Sequence, residues 1–203
     1  MQPKICPFKQ KKRIAYLWLL AAVFLVAAAV TEPVWRGGFH EALEVTGLML
    51  VFFAILGRLW SILYIGSFKN RAVVDIGPYS MTRNPLYLFS LVGICGVGLM
   101  SGSLVLTLAM TTAFYIVMRY TAEREAADLK RMFGQAYEEY AARTPFFVPN
   151  PFLYKGTAKV SFSQRALAKT FRDGLFLLAL FPILEILEYL RANGYLPTIT
   201  RIF

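Results

Sequence analysis

Two stretches of this chain carry residue types able to do chemistry. The first is Gly77-Pro78-Tyr79-Ser80-Met81-Thr82-Arg83-Asn84-Pro85-Leu86-Tyr87, where a turn runs into an apolar segment. Gly-Pro makes the turn, and Asn84 before Pro85 reads as an N-cap with proline at the first helical position, where its missing N–H costs nothing. A helix start presents backbone N–H groups and partial positive charge, so it suits an anion, and Arg83 beside it strengthens that. The second stretch is a helix over Glu123–Arg143. Within it Ala126, Leu129, Phe133, Tyr137 and Tyr140 recur at spacings of three and four, which is one helical face. Glu125 lies four residues before Leu129, along that stripe. A carboxylate aimed at a membrane bundle is costly without a partner, so Glu125 is either functional or snorkels to a basic neighbour. The helix stops at Thr144, because Pro145 disfavours helix at the residue before it.

The elements that must hold these groups follow from composition. The chain has 203 residues, 57% of them apolar, with 22 Lys and Arg against 12 Asp and Glu. That much apolar surface suits a protein solvated by lipid. Five apolar stretches are legible: Ile14–Val30, Ala42–Phe68 interrupted by Arg58, Pro85–Met100, Leu104–Met118, and Leu175–Leu190 with Pro182, Glu185 and Glu188. A full span needs about 20 apolar residues, so the last three are short and use flanking groups to reach the surface. Ser101-Gly102-Ser103 joins the third and fourth as a helical hairpin. The fifth either packs on the bundle, lines a cavity or lies in the interface. Thr31-Glu32-Pro33 follows the first stretch where a signal peptide would have small residues, so that stretch reads as a span. The fold expected is all-α: a polytopic transmembrane bundle of about five spans with a cytoplasmic amphipathic helix. It forms one membrane-embedded domain over 1–203, with an extra C-terminal helix over about 163–191.

Positive charge orients the bundle. With the N-terminus inside and every stretch crossing, 18 Lys and Arg fall on the inner side, and only Arg36, Arg191 and Arg201 fall outside. The protein is thus expected to be multi-pass, with its N-terminus and functional polar residues cytoplasmic. The net charge of +10 is thereby accounted for, and no nucleic-acid partner is expected. Pro145, Pro149 and Pro151, interleaved with Phe146, Phe147, Phe152 and Tyr154, make an aromatic strip suited to the headgroup level. Lys155, Lys159, Arg165, Lys169 and Arg172 would lie against anionic lipid. Arg58 should face the bundle, with Glu185 or Glu188 as partner, or snorkel toward the cytoplasm. Cys6 and Cys95 are too few and too distant for a disulfide framework or metal clip. His40, the sole histidine, is read as lacking ligand-type neighbours, so no metal is expected.

Taken in order around the hairpin, Gly77-Pro78-Tyr79, Arg83-Asn84-Pro85-x-Tyr87 and then Glu125, Leu129, Phe133-Gly134, Tyr137, Tyr140 and Arg143-Thr144-Pro145 resemble the isoprenylcysteine carboxyl methyltransferases. They are similar also to the related membrane phospholipid methyltransferases. The resemblance covers about residues 58–149. It implies S-adenosylmethionine as methyl donor, held by Tyr79, Arg83, Asn84, Pro85, Tyr87, Glu125 and Tyr137. It also implies a lipophilic or lipidated acceptor reaching the site from membrane lipid, with Arg143 handling the accepting group. A guanidinium fork suits a carboxylate, although a basic residue in a last turn also complements the helix dipole. The chain departs from the family's commonest pattern at Asn84, where histidine is usual, and at Ala126, where a second glutamate is usual. A carboxylate acceptor needs no general base, whereas the amine of a phospholipid N-methyltransferase must lose a proton. From another class, a non-catalytic lipid-binding membrane protein is the alternative.

Overall fold

The computed structural model describes residues 10–35, 37–66, 72–157, 159–196 and 200–202. Lys4, Cys6, Lys9, Arg36, Phe68, Lys69 and Arg71 lie outside the described residues. The architecture is all-helical apart from one short strand pair. Helix α1 (Gln10–Val30) leads through strand β1 (Thr31–Pro33) into α2 (Gly38–Ile65). A single turn, α3 (Pro78–Met81), precedes α4 (Pro85–Met100), and α4 and α5 (Leu104–Phe133) form the expected hairpin. Ser103 caps α5 by accepting from the Leu106 N–H at 3.2 Å. Then come α6 (Gln135–Arg143), α7 (Gln164–Leu178), α8 (Leu180–Ala192) and β2 (Thr200–Ile202), which pairs in parallel with β1.

Among the described residues, α2 and α5 are long and apolar enough to cross a membrane, while Ala15–Val30 and α4 are apolar but shorter. Their outward faces carry large apolar side chains, among them Trp18 (71% exposed) and Leu108 (70% exposed). Contiguous apolar surface of this kind is costly in water and neutral in lipid.

Close backbone approach joins α2 to α4. A Cβ on Gly96 would sit 2.5 Å from the Gly47 carbonyl oxygen, and one on Gly47 would sit 2.5 Å from the Gly96 carbonyl oxygen. Small residues at such a seam let two apolar helices gain dispersion contacts where water supplies no drive to associate. Val51, Ala54, Ile94 and Val97 are buried along it.

Two expected helices are broken. The amphipathic helix read as continuous over Glu123–Arg143 divides at Gly134, whose φ of 53° ends α5 and begins α6. Only glycine adopts that conformation without strain, so the Phe133-Gly134 pair was the signal for the break. The single C-terminal helix over 163–191 is two, α7 and α8, separated at Ala179 three residues before Pro182. A proline has no N–H to donate and its ring crowds the preceding turn. Arg58 does face the bundle, but its partners are the Ser90 hydroxyl and, at 3.8 Å, Asp173 of α7. Neither Glu185 nor Glu188 reaches it, because α7 and not α8 packs against that part of α2.

Candidate active site at the start of the fourth helix

The segment Gly77–Asn84 and the proline-rich segment 144–155 are one structure. Arg83 N–H donates to the Pro145 carbonyl (2.9 Å), Asn150 N–H to that of Met81 (3.0 Å), and Gly77 N–H to that of Lys155 (2.7 Å). The Thr82 hydroxyl donates to the Phe147 carbonyl (3.0 Å), and the Asn84 amide to that of Phe146 (2.8 Å). Prolines cannot pair with each other in a ladder, so their segment offers carbonyls and needs donors from elsewhere. The Gly77–Asn84 segment supplies them.

This lacing revises two expectations. Asn84 precedes helical Pro85 as read, but its side chain makes no cap; it is spent on Phe146. The aromatic strip is divided: Phe147 is buried against Tyr115, Phe146 lies beneath the guanidinium of Arg83 at 4.9 Å, and Phe152 and Tyr154 are exposed.

Helix α6 closes the site from the other side. Tyr137 and Tyr140, three residues apart, point into the protein and are buried. The Tyr140 hydroxyl donates to the Tyr79 carbonyl at 2.8 Å, fixing α6 on α3. Burial pushes the phenols of Tyr79, Tyr137 and Tyr140 above their usual range, although Arg83 draws that of Tyr137 back in part. All three are therefore protonated hydrogen-bonding groups near neutral pH.

Between α5, α6 and the Arg83 segment lies an open cavity of about 430 Å³, lined by Arg83, Ala126, Ala127, Lys130, Tyr137, Glu138, Ala141 and Ala142. That is within the range of small-molecule sites. Among the described residues, Arg83, which lines the cavity, has its Nε buried without a hydrogen-bond partner, and so does the hydroxyl of Tyr79, which is not part of the lining. Such an orphan costs about 1–3 kcal/mol, so the one on Arg83 marks where a ligand in the cavity would complete the structure.

Of the residues singled out from the sequence, Tyr79, Arg83, Asn84 and Tyr137 are thus drawn together. Pro85 is buried at the first position of α4, and Tyr87 lies within electrostatic reach of the Tyr79 hydroxyl. Glu125 also reaches Tyr79 electrostatically, although it is exposed. Past Thr121 and Ala122 helix α5 leaves the packed core, so the line of its apolar stripe no longer defines a buried face. Arg143 lies outside the cavity lining and is half exposed, its guanidinium donating to Asp75 at 2.5 Å. Asp75 escaped the sequence reading, as did Lys130 and the alanine pairs as cavity lining, although Ala126 was noted on the helical stripe. The signal for the pairs was two doublets of small residues, Ala126-Ala127 and Ala141-Ala142, on helices joined by a tight glycine turn.

At the far end of α2 the reading of His40 is overturned. Its Nε2 lies 3.1 Å from Glu44 Oε1 and 3.3 Å from Glu188 Oε2. Glu44 is one helical turn on, a neighbour that the four-residue spacing already implied. Glu188 arrives only through the packing of α8.

Comparison with known proteins bears on all of this. The family model described as phospholipid methyltransferase matches residues 43–136, which spans α2 through α5 and ends one residue before Tyr137. The cobalt-zinc-cadmium resistance protein CzcN of Cupriavidus metallidurans is 35% identical over 195 residues, covering 93% of this chain and 88% of that protein. The nickel-cobalt-cadmium resistance protein NccN of Alcaligenes xylosoxydans xylosoxydans is 31% identical over 192 residues, covering 94% and 90%. No solved structure matches the chain.

Proposed function

Because the chain belongs to the phospholipid methyltransferase family, we propose that it is an integral membrane methyltransferase using S-adenosylmethionine on a lipophilic carboxylate. The observation that carries this reading is the orphaned Nε of Arg83, a residue lining a cavity of cofactor size. The lining suits that donor. Arg83 and Lys130 would hold its carboxylate, and Tyr137 with the alanine walls would take its flat, partly polar nucleoside. When bound, S-adenosylmethionine supplies a methyl group on a sulfonium sulfur, which departs with the bonding pair as a neutral thioether.

The chain's own residues favour an acceptor that arrives with its lone pair free. Tyr79, Tyr137 and Tyr140 are kept protonated by burial, and Glu138 is committed to Lys130 at 2.8 Å, so none serves as a general base. A carboxylate oxygen forms the new bond without any proton moving, and charge is lost as it does so. A site with little water therefore favours the step. Arg143 would hold the acceptor carboxylate in its fork, exchanging its present partner Asp75 for it.

The topology proposed is five spans with the N-terminus, the Arg83 segment and α6 on the cytoplasmic side, which the charge asymmetry supports. A cysteine placed at Lys159 should then resist impermeant thiol reagents in intact cells; labelling from outside would reverse the orientation. The names of CzcN and NccN support a second, cellular reading: the chain contributes to tolerance of cobalt, zinc, cadmium or nickel. Loss of its gene should then lower growth in those metals, and unchanged growth would refute it.

The decisive test is calorimetry in lipid nanodiscs with S-adenosylmethionine and its demethylated product. Both should bind, and Arg83→Ala should weaken binding roughly ten- to a hundredfold, the worth of one charge-assisted hydrogen bond. No binding by the unaltered protein would leave a non-catalytic lipid-binding role. Where binding is found, transfer of labelled methyl to phosphatidylethanolamine and not to prenylated carboxylic acids would establish the N-methylating alternative.

A further inference from the structure

From the geometry at the opposite end of α2, we infer that His40, Glu44 and Glu188 form a site for one divalent transition-metal ion that clasps α8 to α2. The ligand atoms of the three lie within 4.8 Å of one another. His40 Nε2 stands 3.1 Å and 3.3 Å from the nearer oxygens of Glu44 and Glu188. Metal bonds of about 2.0–2.1 Å at tetrahedral angles put neighbouring donors roughly 3.3–3.4 Å apart, so the observed spacing is nearly that of a coordination edge.

Two further features distinguish the cluster from an ordinary surface ion pair. First, the imidazole is pre-positioned. His40 is only 9% exposed, and a Cβ on Gly102 would lie 2.3 Å from its ring, so the α4–α5 turn holds the ring from behind while Nε2 faces the carboxylates. Second, among the described residues the corner is short of positive charge. Glu41 and Glu185 lie within electrostatic reach of Glu44 in addition to the three donors. Arg191 is near Glu188, but its guanidinium donates to the carbonyls of Thr31 and Leu187. A divalent cation would neutralise the two carboxylates that this corner brings together. One nitrogen and two carboxylate oxygens form a borderline donor set that suits zinc or cobalt more than calcium. Glu188 is 44% exposed at its side chain, so water reaches the remaining coordination positions.

The site is independent of the methyl-transfer reading. His40 and Tyr64, which packs on the Gly77 turn, are 24 residues apart on one helix, or roughly 36 Å. The probe is Co²⁺ added to chelator-stripped protein in nanodiscs. We expect one equivalent to bind with visible d–d absorption and no thiolate charge-transfer band, and Zn²⁺ to displace it. His40→Gln and, separately, Glu188→Gln should weaken binding roughly a hundredfold or more. They should also abolish the rise in melting temperature that Zn²⁺ gives the unaltered protein. Glu188→Gln alters a half-exposed side chain and keeps the test informative where His40→Gln does not fold. Absence of binding by the unaltered protein, binding through a thiolate, or undiminished binding in the folded variants would each overturn the assignment.

Discussion

Polar side chains around the start of α4 are held mainly by backbone atoms, whereas the His40 cluster at its far end is held by side chains alone. Tyr140 donates to the Tyr79 carbonyl, Asn84 to that of Phe146 and Thr82 to that of Phe147. At the far end His40 is held by Glu44 and Glu188. Backbone carbonyls do not titrate, so the first arrangement keeps its shape over a wide pH range. The second depends on which protons or cations are present. A rigid pocket with orphaned donors suits recognition of a fixed shape, and a cluster of charges suits capture of a small ion.

The strongest way to break this contrast is to separate the two ends. Gly96→Val would drive a side chain into the α2 backbone at the Gly47 carbonyl. The expected loss exceeds about 4 kcal/mol, seen as a collapse of folded yield in mild detergent. A variant that folds normally, keeping both donor and Co²⁺ binding, would show that the seam does not hold the ends together.

Tyr140→Phe sharpens the contrast at the first end. It leaves the buried Tyr79 carbonyl without its donor, at a cost of about 1–3 kcal/mol. The effect has a pH signature. Burial raises the folded pKa values of Tyr79, Tyr137 and Tyr140, so above about pH 10 the unfolded chain binds fewer protons than the native one. Stability is therefore whole below that pH and falls as pH rises toward the folded values. Melting temperatures between about pH 8 and 11 should show a steeper decline for the unaltered protein than for Tyr140→Phe. Parallel declines would mean that the phenols are not buried as described.

The smallest effect is expected at Arg143, whose ion pair with Asp75 is half exposed and worth less than about 1 kcal/mol. Arg143→Lys and Asp75→Asn should both leave melting and donor affinity nearly unchanged. Turnover should fall in Arg143→Lys, which loses the fork, and hold in Asp75→Asn. Equal losses in the two would make Arg143 a strut of α6 and not a ligand of the acceptor.

Much of this was legible in one dimension. Pro85–Met100 has the same bounds in sequence and structure because a proline with no N–H opens it and a Ser-Gly-Ser turn closes it. The breaks at Gly134 and before Pro182 had signals of the same local kind, even where a longer apolar period masked them. His40 and Glu44 were likewise one helical turn apart. By contrast, Asp173 as partner of Arg58 and Glu188 as partner of His40 depend on which helix packs where, and no local rule distinguishes them from Glu185.

The sequence by itself determined the helical class, the α4–α5 hairpin and the motif carrying Tyr79, Arg83 and Tyr137. These follow from composition, period and backbone chemistry, which act over a few residues. Only the tertiary structure decided that segment 144–155 supplies acceptors to segment 77–84. It likewise decided that Asn84 is spent on a carbonyl, and that Arg83 Nε and the Tyr79 hydroxyl end without partners. Hydrogen bonding is satisfied between whatever groups packing brings within about 3 Å, and packing at sequence separations above sixty is set by the whole bundle, not by any stretch of it.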